Sequence, residues 1–329
     1  MISVAILKKP TKNKGAIVKG VIILSKCDKT CELIPKLKEY YYLIERRGWE
    51  GMNDQKAADI KLVEDSRTLE ETRKIFPEAI LLDLAGGDFV DTEKFKPLNL
   101  KKEYTGIHIS SWQRFKRHKL FVEGVSLLPE KKFIKFGHFP DGGSKEENEL
   151  RRDILNLSKK LGANIEYLSN HLANNEGLPS ESEEINILIN KSKMGILTTK
   201  VEGLNRFKME CLAANIPVLV PKDASEPTKK YINDKTGVLF EPTPEGLAKA
   251  IEYVESNYSQ FFPRDYLLSN TGVHNSLKKL KDVLNKLVEK EESKQNFDDI
   301  YWDGRNQGML WGKKAIEEIK KTIKEVNLS

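Results

Sequence analysis

From Gly106 onward the chain alternates short apolar runs with amphipathic stretches. GIHIS (106–110), KFIKFGHF (132–139), NIEYLS (164–169), MGILTT (194–199), PVLVP (217–221) and TGVLFEP (236–242) have the length and apolar content of strands. Between them, KLFVEGVSLL (119–128), EENELRRDILNLSKKLG (146–162), SESEEINILINKSK (180–193), a short piece near EPTKKYI (226–232) and TPEGLAKAIEYVESN (243–257) have helical spacing. Pro129 and Gly162 mark two helix ends, and PDGGS (140–144) is a turn signal. Strictly alternating strands and helices predict a parallel sheet with helices on both faces. Ligands of such sheets bind at the carboxyl ends of the strands.

The first hundred residues are less regular. SVAILKKP (3–10) and GAIVKGVIIL (15–24) read as two strands joined by KKPTKNKG (8–15), a basic loop. ETRKIFPEAILLDLAGGDF (71–89) reads as a helix, a buried strand and a glycine turn from which Asp88 projects. ELIPKLKEYYYLIERRGW (32–49) mixes lysines with three tyrosines, which predicts buried tyrosines beneath exposed lysines. EKEESKQNFDD (289–299) is a polar linker, and 300–326 reads as a final helix with Trp302 and Trp311 near its start as packing residues.

With 329 residues, two domains are expected, divided after residues 105 and 285, with 286–329 as linker and returning helix. The balance of 39% hydrophobic and 32% charged residues is that of an ordinary soluble chain, and no run approaches the ~20 apolar residues of a membrane span. The apolar start is too short for a signal peptide, and its charges follow rather than precede it. The three cysteines lack the spacing of a disulfide framework, which points to a reducing compartment. The expected location is cytoplasmic, with peripheral association at an inner membrane face as a further expectation. The net charge of +6 is spread among acidic residues, which argues against nucleic acid as partner.

The candidate chemistry lies in VEGLNRFKMECLAANIPVLVPKD (201–223). A strand ends, the chain turns, and a helix is expected from near Leu204. A helix start offers unpaired N–H groups and a positive dipole end, and so binds anions. Gly203 permits close approach of the backbone. Glu202 stands at the mouth, and Glu210 is expected about two turns along the helix on the same face. A carboxylate at each place can accept sugar or ribose hydroxyls.

The run E-G-(x6)-E followed by small residues, a proline and a strand resembles the retaining glycosyltransferases of family 4, which have the two-domain GT-B fold. NDKTGVLFEPTPEGLAKAI (233–251) resembles the segment that follows that motif, and WQRFKRHKLFVEGVSLLP (112–129) resembles the family's lysine-containing segment. The resemblance spans about residues 106–255. It implies an α/β protein of two Rossmann-like domains facing across a cleft, with the last helix crossing back to the first domain. It implies a retaining, metal-independent hexosyltransferase using a UDP- or GDP-linked sugar, with no cofactor. Lys116 matches the diphosphate-binding lysine, and Arg117 stands where glycine is usual. Catalytic roles fall to Lys116 and Glu202. Donor binding falls to Ser110, Arg114, Lys116, Gly203, Leu204, Asn205, Arg206 and Glu210. In place of the family's arginine after the first strand stand Ser110 and Ser111. No histidine precedes His108, so the family's N-terminal histidine has no counterpart.

Lys12 and Lys14 of the basic loop, with Asp88, are the acceptor-side candidates. A loop following the first strand is expected at the carboxyl edge of the sheet, where lysines would attract an anionic or lipid-linked glycan. Two other readings carry the same architecture: a non-catalytic sugar- or nucleotide-binding module, and a sugar-nucleotide epimerase.

Overall fold

The computed structural model describes residues 2–46, 56–64, 66–138, 143–168, 182–290, 295–304 and 309–328. The chain forms two compact units, Met1–Phe89 with Val273–Ser329, and Val90–Gly272. These breaks differ from the expected 105 and 285. Residues 90–103 already belong to unit two: the Leu98 amide donates to Asn190 Oδ1 at 2.7 Å, and Arg264 donates to the carbonyls of Thr92 and Phe95 at 3.1 Å each. At the other break, Val273, Leu277, Leu280, Leu284 and Val288 bury one stripe in the core of unit one.

Unit one begins with β1 (Ser3–Lys8), β2 (Thr11–Asn13), β3 (Ala16–Val18) and β4 (Gly20–Leu24). The expected strand over 15–24 is therefore two strands, and the basic loop is half of a hairpin. Lys14 (φ 49°) and Gly15 (φ 85°) form its two-residue turn. Then follow α1 (Cys27–Leu33), α2 (Leu37–Tyr40), β5 (Tyr41–Arg46), β6 (Ile60–Val63), α3 (Ser66–Ile75) and β7 (Ile80–Asp83). Strands β4 to β7 are parallel and lie side by side in chain order, whereas β1 is antiparallel to β4. Lys8 at the end of β1 pairs with Val21 at the start of β4. The β2–β3 hairpin, with Lys12 and Lys14, therefore stands at the amino ends of the parallel strands. The expected carboxyl-edge position is corrected: a strand that runs against its neighbours ends where they begin.

Strands of unit one alternate faces with period two. Val21 and Ile23 face one cluster; Ile22 and Leu24 face the other, with α1. Tyr40, Tyr41 and Tyr42 are buried, as the tyrosine-rich stretch predicts.

Unit two contains β8 (Tyr104–Ser111), α4 (His118–Ser126), β9 (Phe133–His138), α5 (Lys145–Leu161), β10 (Ile165–Leu168), α6 (Ser182–Asn190), β11 (Ser192–Ile196), α7 (Arg206–Ala213), β12 (Val218–Pro221), α8 (Glu226–Lys229), β13 (Gly237–Phe240), α9 (Pro244–Ser256) and α10 (Pro263–Asn270). The six strands are parallel in the order β10-β9-β8-β11-β12-β13. Local signals set the helix ends. Ser144 and Glu147 form a capping box on α5, Gly162 closes it at φ 61°, and the Thr243 side chain caps α9.

The chain then returns to unit one through α11 (Val273–Lys290), β14 (Leu310–Trp311) and α12 (Gly312–Leu328). The expected helix over 300–326 begins only at Gly312. Leu310 and Trp311 instead extend the sheet by pairing with Val4 and Ser3. Ala315, Ile319 and Val326 of α12 join the cluster of Ile22 and Leu24. Trp302 packs on Phe89 at 4.7 Å between ring centroids, as expected, while Trp311 is 43% exposed and is not a core residue.

Candidate functional site

The strand order of unit two reverses between β8 and β11. Strands β9 and β10 lie to one side, and β12 and β13 to the other. The connections leaving β8 and β11 therefore diverge, and the two loops part at the carboxyl edge. A doubly wound sheet binds its ligand in that crevice. Lys116 belongs to the loop after β8, and Glu202 to the loop after β11.

The structure brings these two side chains together. Lys116 Nζ lies 2.6 Å from Glu202 Oε1, with side-chain exposures of 9% and 19%. The other carboxylate oxygen, Glu202 Oε2, accepts from Asn205 Nδ2 at 2.9 Å. Asn205 is the N-cap of α7, and its Oδ1 accepts from the Lys208 amide at 2.8 Å. One asparagine thus satisfies a helix-end amide with its oxygen and aims a carboxylate with its nitrogen. The helix starts at Arg206, two residues later than expected. Glu210 then lies one turn along it rather than two, and it is buried at 8% exposure. Leu204 and Gly203 are buried, and Arg206 is half-buried. Ser110 is buried at the end of β8, while Arg114 is exposed.

Both loops are fixed from below. The Ser225 hydroxyl donates to the Glu202 carbonyl at 2.6 Å, the Thr228 hydroxyl donates to it at 3.0 Å, and the Glu202 amide donates to Ser225 Oγ at 3.1 Å. The fully buried Lys208 ammonium donates to the carbonyls of Thr228 at 2.8 Å and Lys230 at 2.6 Å, which neutralises the last turn of α8. Across the edge, the Thr198 hydroxyl donates to the Lys116 carbonyl at 2.6 Å. Arg117 follows with φ 49° and ψ 48°, a left-handed conformation that glycine adopts without strain. The arginine holds it with a two-pronged pair to Asp223, at 2.8 and 3.1 Å. The sequence showed that a non-glycine residue stands here; the structure shows what compensates for it.

The acceptor-side candidates all belong to unit one. Lys12 and Lys14 sit on the hairpin at the amino edge of unit one. Asp88 does not project: it is fully buried, and its Oδ2 accepts from the Ala85 amide at 2.7 Å, which ties down the glycine turn. Sequence reasoning missed Thr198, Ser225, Thr228 and Asp223. Their polar side chains close loops, and only Ser225 and Thr228, flanking the EP start of α8, carried a local sign of it.

Beneath Lys116 is a further group that the sequence did not suggest. Lys135, fully buried on β9, lies 2.8 Å from His108 Nδ1 and 2.9 Å from His118 Nδ1. Burial pushes the Lys135 amine well below its ordinary 10.5. Burial, then the charges of Lys135, His118 and Lys116, push His108 well below 6.5. Among the described residues, no group of three or more His, Cys, Asp or Glu side chains is placed to hold a metal ion. No helix among them is long and apolar enough to cross a membrane.

No protein-family model matches the chain, and no curated protein sequence matches it significantly. Solved structures do match. Sucrose-phosphate synthase (tll1590) from Thermosynechococcus elongatus superposes with a TM-score of 0.60 at 13% identity, over 76% of this chain and 69% of that one. Anabaena Alr3699/HepE, solved in complex with UDP, gives 0.60 at 11% identity over 78% and 76%. A glycosyltransferase from Rickettsia africae ESF-5 gives 0.58 at 18% identity over 77% and 72%. At such identities the likeness concerns the fold, and the fold is that of GT-B glycosyltransferases.

Proposed function

We propose that the carboxyl edge of unit two binds a nucleoside-diphosphate sugar and that the protein is a glycosyltransferase. The observation that carries this reading is the Lys116–Glu202 pair at the strand-order reversal, beside the capped start of α7. An arriving diphosphate exchanges with the carboxylate at Lys116, since both are anions and the diphosphate brings more charge. Glu202 is then free to accept sugar hydroxyls, still aimed by Asn205. Glu210, one turn into α7, is assigned to the ribose diol. The Anabaena relative in fold is described with UDP-glucose, and the pneumococcal O-GlcNAc transferase GtfA, similar at a TM-score of 0.55, with UDP and GlcNAc. UDP is therefore the first base to try.

As the anomeric bond breaks, charge grows on the leaving phosphate. Lys116 and the first amides of α7 meet that charge with fixed positive ends, and removing one such donor typically costs about 3 kcal/mol of transition-state stabilisation. This chemistry needs no metal, and retention of configuration is what the family resemblance implies. Peripheral membrane association and a cytoplasmic location remain part of the proposal. The anionic acceptor is not, because Lys12 and Lys14 stand at the amino edge of the sheet of unit one. The sheet of unit one, whose parallel strands show no order reversal among the described residues, favours a second reading in which the protein binds the donor and transfers nothing.

The test is a panel of UDP-, GDP- and ADP-sugars, scored by thermal shift and by sugar release or transfer, with and without EDTA. A nucleoside diphosphate at 100 times its Kd should stabilise the protein by about 2.7 kcal/mol. Turnover should persist in EDTA. Binding without turnover favours the second reading, and no shift with any nucleotide overturns both.

A further inference from the structure

The buried group around Lys135 has a direction. A carbonyl oxygen only accepts, so His118 Nε2, 3.0 Å from the Ser111 carbonyl, carries a proton. The single Thr198 hydroxyl proton goes to the Lys116 carbonyl at 2.6 Å. Thr198 Oγ1 therefore accepts from His108 Nε2 at 3.2 Å, which also carries a proton. Both Nδ1 atoms then face Lys135 Nζ as lone pairs, and the amine donates to both. Every proton in the chain from Lys135 through His108 and Thr198 to the Lys116 backbone points one way. A second branch runs from Lys135 through His118 to the Ser111 backbone. The two branches end on either side of the turn Arg114–Lys116.

The packing keeps water from replacing these bonds. His108 stacks on Phe121 at 4.6 Å between centroids, and the Trp112 ring lies 4.8 Å from the His118 ring. The Lys135 amine stands 4.9 Å from the centre of the Trp112 ring, over its face. Gly137 is required there, because a Cβ at that position would stand 2.3 Å from the indole.

We propose that Lys135, His108, His118 and Thr198 are positioning residues, a one-way hydrogen-bond relay that holds the Arg114–Lys116 turn and so sets where the Lys116 ammonium stands opposite Glu202. They act through the backbone of Lys116 and Ser111, and His108 Nδ1 also lies 3.5 Å from Ser110 Oγ. The proposal rests on the donor-site reading for its consequence, and on geometry alone for the relay.

The experiment has two arms on the full-length chain. In the first, UDP affinity is measured calorimetrically for wild type, Thr198→Val and Thr198→Ser. Valine keeps the shape of threonine and removes the hydroxyl, so Kd should rise about tenfold, the worth of roughly one hydrogen bond. Serine keeps the hydroxyl and should restore affinity to within about twofold. Wild-type affinity in a folded Thr198→Val protein would overturn the positioning role. In the second arm, the wild-type protein with nitrogen-15-labelled histidine is observed by NMR at pH 7.5. The two imidazoles whose signals are lost in His108→Gln and in His118→Gln should be neutral with the proton on Nε2. If none is, or if both carry it on Nδ1, the relay is wrong, whatever UDP does. If wild type binds no nucleotide while the two tautomers are found, the donor-site reading falls and the consequence proposed here falls with it, leaving a structural relay.

Discussion

The six-stranded sheets of the two units are wound differently. In unit two the strands β8, β9 and β10 run outward one way and β11, β12 and β13 the other, so two loops part at the carboxyl edge. In unit one the parallel strands β4 to β7 are laid down in a single direction, and β1 enters antiparallel. Among the described residues, no reversal of the parallel strands opens a crevice there. The polar side chains follow the topology. In unit two Lys116, Glu202, Asn205, Thr198, Ser225 and Thr228 converge on one edge. In unit one the buried charged pair Glu45–Lys61 lies within adjacent strands, and the hairpin lysines stand at the amino edge. Winding order, more than residue content, distinguishes the sheet proposed to bind the donor from the other.

The sharpest way to break that contrast is to remove charge at the same edge of each unit. Lys116→Ala should lower turnover at saturating donor by about 100- to 1,000-fold, the usual cost of losing one transition-state donor. Asp83→Asn, at the carboxyl end of β7, should leave donor KM and turnover within about twofold in the same steady-state assay. Comparable losses from both would mean that the site is not confined to unit two.

Acid sensitivity sharpens it next. Four of the five histidines lie in unit two, and His274, in unit one, is exposed. His108 is held below 6.5 by burial and then by the charges of Lys135, His118 and Lys116. Below pH 6.5 the unfolded chain takes up a proton at this site that the folded chain refuses. The unfolded state binds more protons there, so stability is intact above 6.5 and falls as pH drops below it. One proton corresponds to about 1.4 kcal/mol per pH unit. Urea unfolding between pH 7.5 and 5 should show this slope in wild type and a shallower one, by one proton, in His108→Gln. Equal slopes would place the acid-sensitive group elsewhere.

The smallest effect belongs to the hairpin. Lys12 and Lys14 are exposed at the amino edge of unit one, and exposed substitutions of this kind stay within about 0.5 kcal/mol. The double variant Lys12→Ser, Lys14→Ser should leave both donor and acceptor KM unmoved at low salt. A raised acceptor KM would return these lysines to the site.

What the sequence revealed and what it hid follow the same contrast. Unit two is legible because its signals are local: apolar runs of strand length, the turn signal PDGGS ahead of α5, and the helix-ending Gly162. Lys116 and Glu202 are legible because each lies in a short motif next to a strand end. Strand direction is not local. Nothing in SVAILKKP says that it runs against GVIIL, and the polar TKNKG gave no apolar alternation to betray a hairpin. The helix starts two residues later than the sequence suggests because Gly203 and Leu204 complete the loop before Asn205 caps it. The relay was invisible for a different reason. Lys135 sits between Ile134 and Phe136, where alternation in a half-exposed strand would send it to solvent. In a parallel sheet covered on both faces it points inward instead, to partners 27 and 17 residues away.

On the proposed reading, a nucleoside diphosphate binds between the loops after β8 and β11. Hydrogen–deuterium exchange of the full chain with and without saturating UDP reads both units at once. Peptides covering 111–118 and 199–210 should exchange more slowly with UDP, while those covering the 11–18 hairpin should not change. Unchanged exchange in both loops, with UDP bound by calorimetry, would contradict the claim and place the nucleotide elsewhere on the protein.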